Sequence, residues 1–97
     1  MEEPRAIEAS DRLQLVPSAT RRLGSDLLVS AGGATRPVER LTGSGPELWS
    51  AFAAGLTVAE AAARLAQRTG TAITAVQPVV LRFAEALVRA GLAEQAP

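Results

Sequence analysis

The chain has 97 residues, with ten arginines, ten acidic residues and no lysine, so its formal net charge is zero. This length allows one domain with a modest core. The charge balance gives no long-range attraction for nucleic acid or an anionic membrane, so we expect neither as a partner. Because Cys, His and Tyr are absent, disulfides, thiol chemistry, imidazole bases and the usual zinc sites are excluded, and we expect no cofactor.

No apolar run approaches the roughly 20 residues that span a bilayer. The first residues, MEEPRAIEAS, lack the basic-then-apolar order of a secretion signal. These features predict a soluble, cytoplasmic protein. We expect flexible tails at residues 1–11 and 95–97 to flank a single domain over residues 12–94.

Three short segments in the first half have the pattern of strands. Leu13 and Leu15 share one face of the first, and LLVSA (27–31) forms the second. PVERLT (37–42) returns as the third, after two glycines that suit a hairpin connection. The segment SATRRLGSD (18–26) is left as the connection between the first two strands. The pattern predicts an N-terminal three-stranded antiparallel sheet.

Three helices follow, each with a matching start and stop signal. The starts fit the capping-box pattern, in which a hydroxyl and a Glu or Gln three residues later satisfy free backbone N–H groups. Each segment ends at a glycine, which turns left-handed readily at a helix C-terminus. The predicted helices span 45–54, 58–69 and 75–90, with the caps Ser44–Glu47, Thr57–Glu60 and Thr74–Gln77 and the stops Gly55, Gly70 and Gly91. The fold class is therefore α+β, a small winged-helix-like domain whose strands come first.

No catalytic constellation is visible in the sequence. A serine nucleophile needs a nearby base, and there is no histidine or lysine to supply one. The glycines form no phosphate-binding pattern. We predict a binding protein and not an enzyme.

Two surfaces are candidates for binding. The third helix has an apolar arc wider than two neighbouring helices need, with a shoulder formed by Leu81, Ala84 and Val88 and with Gln77 at its edge. Either the strands cover this shoulder or it lines a groove for a partner. The 37–42 strand begins with proline and carries charges, which is typical of a sheet edge. That edge is either simply solvated or able to accept an extended peptide as another strand.

The ordered combination of these features resembles a known family. It lies in LLVSAGGATRPVERLTGSGPELWSAFAAGLTVAEAAARLA and in VQPVVLRFAEALVRAGLAE, together with a Trp at the centre of the first helix. Over residues 12–94 the chain resembles the PqqD-like family (pyrroloquinoline quinone biosynthesis protein D), the precursor-peptide recognition elements of natural-product biosynthesis.

The resemblance implies a function and a site. Family members are peptide chaperones: they bind the leader segment of a ribosomally made precursor peptide and present it to a modifying enzyme, often a radical S-adenosylmethionine protein. The leader adds as a strand to the last strand of the sheet, beside the third helix. By resemblance, the peptide-binding residues are Pro37, Val38, Glu39, Arg40, Leu41, Gln77, Leu81, Ala84 and Val88.

Two other functions remain open at this stage. The helices also fit a DNA-binding winged helix, although the start of the third helix offers mainly Gln77 and Arg82 for base contacts. Alternatively, the chain is a regulatory module that docks on one protein without a peptide ligand.

Overall fold

The structure is a computed structural model that describes residues 6–32 and 38–96. It is an α+β domain, which confirms the predicted class. In chain order the elements are β1 (Leu13–Leu15), β2 (Ala19–Leu23), β3 (Asp26–Ser30), β4 (Glu39–Leu41), α1 (Gly45–Ala53), α2 (Val58–Thr69), α3 (Ile73–Arg89) and β5 (Ala93–Gln95).

The three-stranded antiparallel sheet has the strand order β2-β3-β4. The predicted pairing of the second and third strands is confirmed, with Leu27 opposite Leu41 and Val29 opposite Glu39. The remaining strand of the sheet, however, is β2, which lies within the segment assigned to a connection. A two-residue loop, Gly24–Ser25, joins β2 to β3, and Gly24 has the positive φ (64°) that a tight hairpin turn needs.

The predicted first strand exists but belongs elsewhere. As expected from its alternation, Leu13 is buried and Gln14 is exposed. Instead of joining the main sheet, β1 pairs antiparallel with β5 at the end of the chain, with Leu15 opposite Ala93. This pairing depends on residues about 80 apart in sequence, so no local pattern in the first strand could reveal it.

Residues on both sides of the predicted domain boundaries make backbone contacts. The carbonyl groups of Ala9 and Asp11, in the segment assigned to a tail, accept hydrogen bonds from the N–H groups of Ala59 and Val58. At the other end Gln95 lies within β5, and the Ala96 N–H donates to the Arg12 carbonyl. The bonds to Ala9 and Asp11 satisfy two N–H groups that would otherwise be free at the start of α2.

Of the three predicted capping boxes, one forms. Thr57 Oγ1 accepts from the Glu60 N–H at 3.1 Å, and Glu60 Oε1 accepts from the Thr57 N–H at 2.8 Å. The hydrogen bond from the Thr57 backbone N–H to the Glu60 carboxylate, with a smaller contribution from the Thr57 hydroxyl, holds the pKa of Glu60 below its ordinary value of about 4.5. The resulting contribution to stability is present above the pKa of Glu60 in the unfolded chain, and it is lost as the pH falls through the lowered folded value.

The other two predicted caps are wrong, each for a local reason. Ser44 has helical dihedral angles and makes no side-chain cap bond, while Glu47 forms an ion pair with Arg68 of α2. In α3 the helix begins at Ile73, one residue before the predicted cap, so Thr74 lies inside its first turn. Pro78 is then the sixth helical residue, where it removes the backbone bond that would reach the Thr74 carbonyl.

The predicted helix stops are confirmed at all three glycines, which have positive φ. At the end of α1 the Gly55 N–H donates to the Phe52 carbonyl and the Leu56 N–H to the Ala51 carbonyl. This is the Schellman arrangement, and α3 repeats it at Gly91 and Leu92.

A core of Leu, Val and Ala side chains, with Trp49 and Phe52 from α1, lies between the helices and the inner face of the sheet. Ala61 and Ala62 on α2 and Ala84 on α3 are buried, which lets these helices approach closely. Among the described residues, no helix is long and apolar enough to cross a membrane.

The capping difference gives a direct stability prediction. Thr57→Ala removes the hydroxyl that accepts from the Glu60 N–H and leaves the Thr57 N–H bond to Glu60 Oε1, and we expect it to lower the free energy of unfolding by about 1 kcal/mol. Ser44→Ala is the matched control and should change it by less than about 0.5 kcal/mol. Urea unfolding measures both, and equal losses would contradict the assignment of a single box.

Candidate peptide-binding site

Strand β4 is an open edge of the main sheet. It pairs with β3 on one side, and no described residue pairs with its other side. Edge strands of this kind expose backbone N–H and C=O groups that another strand can use.

The register identifies which backbone groups point outward. The two-residue turn at Gly24–Ser25 places Leu23 opposite Asp26, and the pair that closes a two-residue hairpin is of the hydrogen-bonded kind. Because such pairs alternate along an antiparallel ladder, Leu27 and Val29 direct their N–H and C=O groups away from β2 and toward β4. Leu41 and Glu39 receive these bonds. The N–H and C=O of Arg40 therefore point outward, at the open edge.

The side chains of β4 alternate between the two faces of the sheet. Leu41 is 8% exposed and joins the core on the inner face, which Glu39 shares. Arg40 lies on the outer face, where its Nε and one Nη donate to Asp26 Oδ2 at 2.9 and 2.7 Å. Val38, just before the strand, is 60% exposed.

Gly45 is the point at which the strand edge meets the third helix. A methyl group on this residue would lie 3.1 Å from Leu41 Cβ and 3.4 Å from the Phe83 ring. On its other side the Phe83 ring stacks on Phe52 of α1, with 6.5 Å between ring centroids. The end of β4, the first residue of α1 and the middle of α3 thus meet around one aromatic ring.

An exposed apolar side chain lies on the same side of α3 as Phe83. Val79 lies one helical turn before Phe83 on nearly the same side of α3, and it is 46% exposed. We call Leu41, Gly45, Phe83 and Val79 the edge cleft. Their arrangement offers apolar contacts beside an unpaired strand edge.

The predicted shoulder of α3 lies on a different side of the helix. The buried line of α3 consists of Val76, Val80, Ala84 and Leu87. Phe83 flanks this line on one side. Gln77, Leu81 and Val88 are half-buried on the other side, between about 120° and 160° around the helix from Phe83.

The structure therefore brings together only part of the predicted site. Leu41 reaches the edge cleft, and Arg40 supplies outward backbone groups. Ala84 is fully buried at 0% exposure, so its side chain supports the core and is not available to a ligand. Leu81 and Val88 pack against the core away from the Phe83 side of α3. Pro37 lies outside the described residues.

Val79, Phe83 and Gly45 are site residues that the sequence analysis did not select. The helical period gives the width of the apolar arc of α3 but not the side of it that is left uncovered, so it does not single out Val79 and Phe83. One signal was available for Gly45. Glycine is costly within a helix, so its place at the first helical position indicates a close contact.

The described residues contain no group of three or more His, Cys, Asp or Glu side chains placed to hold a metal ion. Comparisons of the chain with protein-family models, with curated proteins and with solved structures find no match. The functional interpretation consequently depends on the geometry of the site itself.

Gly45→Ala tests the junction. In the middle of an ordinary helix this change is favourable by about 0.5–1 kcal/mol. Here, however, the added methyl group would lie too close to Leu41 Cβ and to the Phe83 ring. We expect a net loss of about 1 kcal/mol in unfolding free energy.

Phe83→Leu provides the matching second substitution. If the ring opposes the new methyl group, the double variant should lose less than the sum of the two single losses in urea unfolding. Strict additivity, or a Gly45→Ala variant more stable than the parent, would contradict the close contact.

Proposed function

We propose that this chain is a non-catalytic peptide-binding protein that recognises an extended leader segment of a ribosomally made precursor and presents it to a modifying enzyme. The observation that carries the proposal is the open edge of β4, with outward backbone groups at Arg40, beside the exposed apolar surface of the edge cleft. The resemblance to the PqqD-like family supports the same function, and the cytoplasm is the compartment in which such a precursor would be met.

Strand addition requires two kinds of contact, and both are available at this position. Backbone groups of the edge strand give affinity that is independent of sequence, and adjacent pockets select alternate side chains of the ligand. At β4 the backbone contact is supplied by Arg40. A ligand side chain on the inner face would lie beside Leu41 and could reach Phe83 and Val79.

The surface at the start of α3 favours a peptide over DNA as the ligand. The exposed residues before Arg82 include Ile73, Pro78 and Val79, which carry no hydrogen-bond donor for a base edge. No arginine or lysine occurs in α3 before Arg82.

Backbone hydrogen exchange provides the most direct test. In the free protein the Arg40 amide should exchange faster than the amides of Glu39 and Leu41, because only the latter two face β3. Saturation with a bound leader peptide should slow exchange at Arg40. An Arg40 amide that is equally protected without a ligand, or unaffected by a bound one, would contradict strand addition at this edge.

Isothermal titration tests affinity and location together. The titrant is the leader half of a short precursor encoded beside the gene of this chain, and we expect saturable binding. No binding at about 100 μM, which is already weak, would contradict the proposal.

Two matched variants locate the binding surface in the same titration. Val79→Asp places a charge in the edge cleft and should weaken binding at least tenfold, since a buried unpaired charge is costly. Ile73→Asp is the control: Ile73 is similarly exposed (41% against 46%) on the same helix but faces a different direction. Its Asp also suits a helix N-terminus. Equal effects of the two changes would place the ligand elsewhere.

A further inference from the structure

Arginine side chains border the edge cleft on both sides. On the strand side Arg40 is 57% exposed although it bonds to Asp26. On the helix side Arg82 is exposed about 60° beyond Val79, further from the buried line of α3. Arg82 has no acidic partner within hydrogen-bonding distance among residues 6–32 and 38–96. Two arginines therefore lie near the cleft, one from the strand and one from the helix, and Glu39 is the acidic residue that shares its inner face.

The Arg40 guanidinium has donors left over from its bonds to Asp26. A guanidinium carries five N–H donors, and the two bonds to Asp26 Oδ2 use two of them. Three remain for a second acceptor. A carboxylate is the acceptor whose planar shape and charge fit this group best.

The outward backbone groups of Arg40 determine which ligand residue lies beside its side chain. A strand that bonds to these groups in the antiparallel sense places one residue directly next to Arg40 in the ladder. The side chain of that residue points to the outer face, as the Arg40 side chain does. The residues before and after it point to the inner face, beside Leu41 and Glu39 respectively.

Glu39 makes the choice of register sensitive to charge. It is half-buried on the inner face. An acidic ligand residue shifted by one position, from beside Arg40 to beside Glu39, would therefore lie against a like charge. A one-residue slip would also move the apolar ligand side chain away from Leu41 and onto the outer face. The charges of β4 and its apolar contact thus favour the same register.

We infer that the preferred ligand strand carries Asp or Glu at the position beside Arg40, next to an apolar residue that packs against Leu41. This inference rests on the proposed function. The recognised peptide is thus an extended acidic segment in which the acid and the apolar side chain lie on opposite faces. Arg40 is the residue that selects the acid and fixes the register, and Arg82 adds attraction from the helix side.

A displayed library of random 12-residue peptides, selected on the intact protein, tests this inference. We expect the enriched peptides to share an acidic residue adjacent to a large apolar one. Selected peptides are then synthesised with the acid intact or changed to its amide, and the dissociation constants are measured by titration. Acid to amide should weaken binding to the parent protein about three- to fivefold.

Arg40→Gln should abolish this preference, so that acid and amide peptides bind with nearly equal dissociation constants. Arg21→Gln is the matched control, because Arg21 lies on the same face of the sheet but on the opposite edge strand, β2. It should retain the threefold or greater preference. Thermal unfolding of both variants checks that the fold is intact.

The outcomes separate the inference from the function on which it rests. If the parent protein enriches no peptide above background, strand capture itself is contradicted. If peptides are enriched and compete with one another but show no acid preference, or if Arg40→Gln keeps that preference, peptide binding stands and the role of Arg40 is overturned. Loss of the preference in Arg21→Gln alone would assign the ligand to the β2 edge and also overturn the inference.

Discussion

The close approach at Gly45 is the constraint on which the candidate site depends. A Cβ at this position would lie 3.1 Å from Leu41 Cβ and 3.4 Å from the Phe83 ring, so any other residue would require one of these neighbours to move. The contact attaches a three-residue strand, which could not form a stable edge alone, to the helical core. Stacking of Phe83 on Phe52 extends the same attachment along α1. The position of the open edge relative to α3 therefore depends on this packing.

Other contacts join the remaining elements of the domain to one another. The α2 N-terminus is satisfied by the Thr57–Glu60 box and by carbonyl groups of residues 9 and 11. β1 and β5 pair the two ends of the chain beneath the helices, and the ion pair between Glu47 and Arg68 links α1 to α2. By contrast, every residue of β2 is exposed, so this strand contacts mainly β3 and extends the sheet beyond the core. The two edges of one sheet thus differ: β4 lies against the helices and β2 does not.

A small domain with few aromatic residues places most of them at one point. Two of its three aromatic side chains, Phe52 and Phe83, meet beside the open edge, and Trp49 is buried in the same helix as Phe52. The remaining core consists largely of Leu, Val and Ala, which fill space without a directional preference. The stacked rings of Phe52 and Phe83 therefore restrict the position of α1 relative to α3 beside the end of β4.

The sequence by itself determined the features that depend on neighbouring residues. Helix boundaries followed from local periodicity and from glycines that adopt positive φ, and the pairing of β3 with β4 followed from the two glycines that suit a hairpin connection. Capping was less predictable, because Ser44 and Thr74 match the same short pattern as Thr57 while their backbone conformations differ. Tertiary structure alone decided the rest. Contacts between distant residues decided the pairing of β1 with β5. They also decided that Ala19–Leu23 of SATRRLGSD forms an edge strand and which side of α3 stays uncovered. A helical period fixes how wide an apolar arc is, but only the packed neighbours determine which part of it meets another element, as Phe83 meets Gly45 beside Leu41.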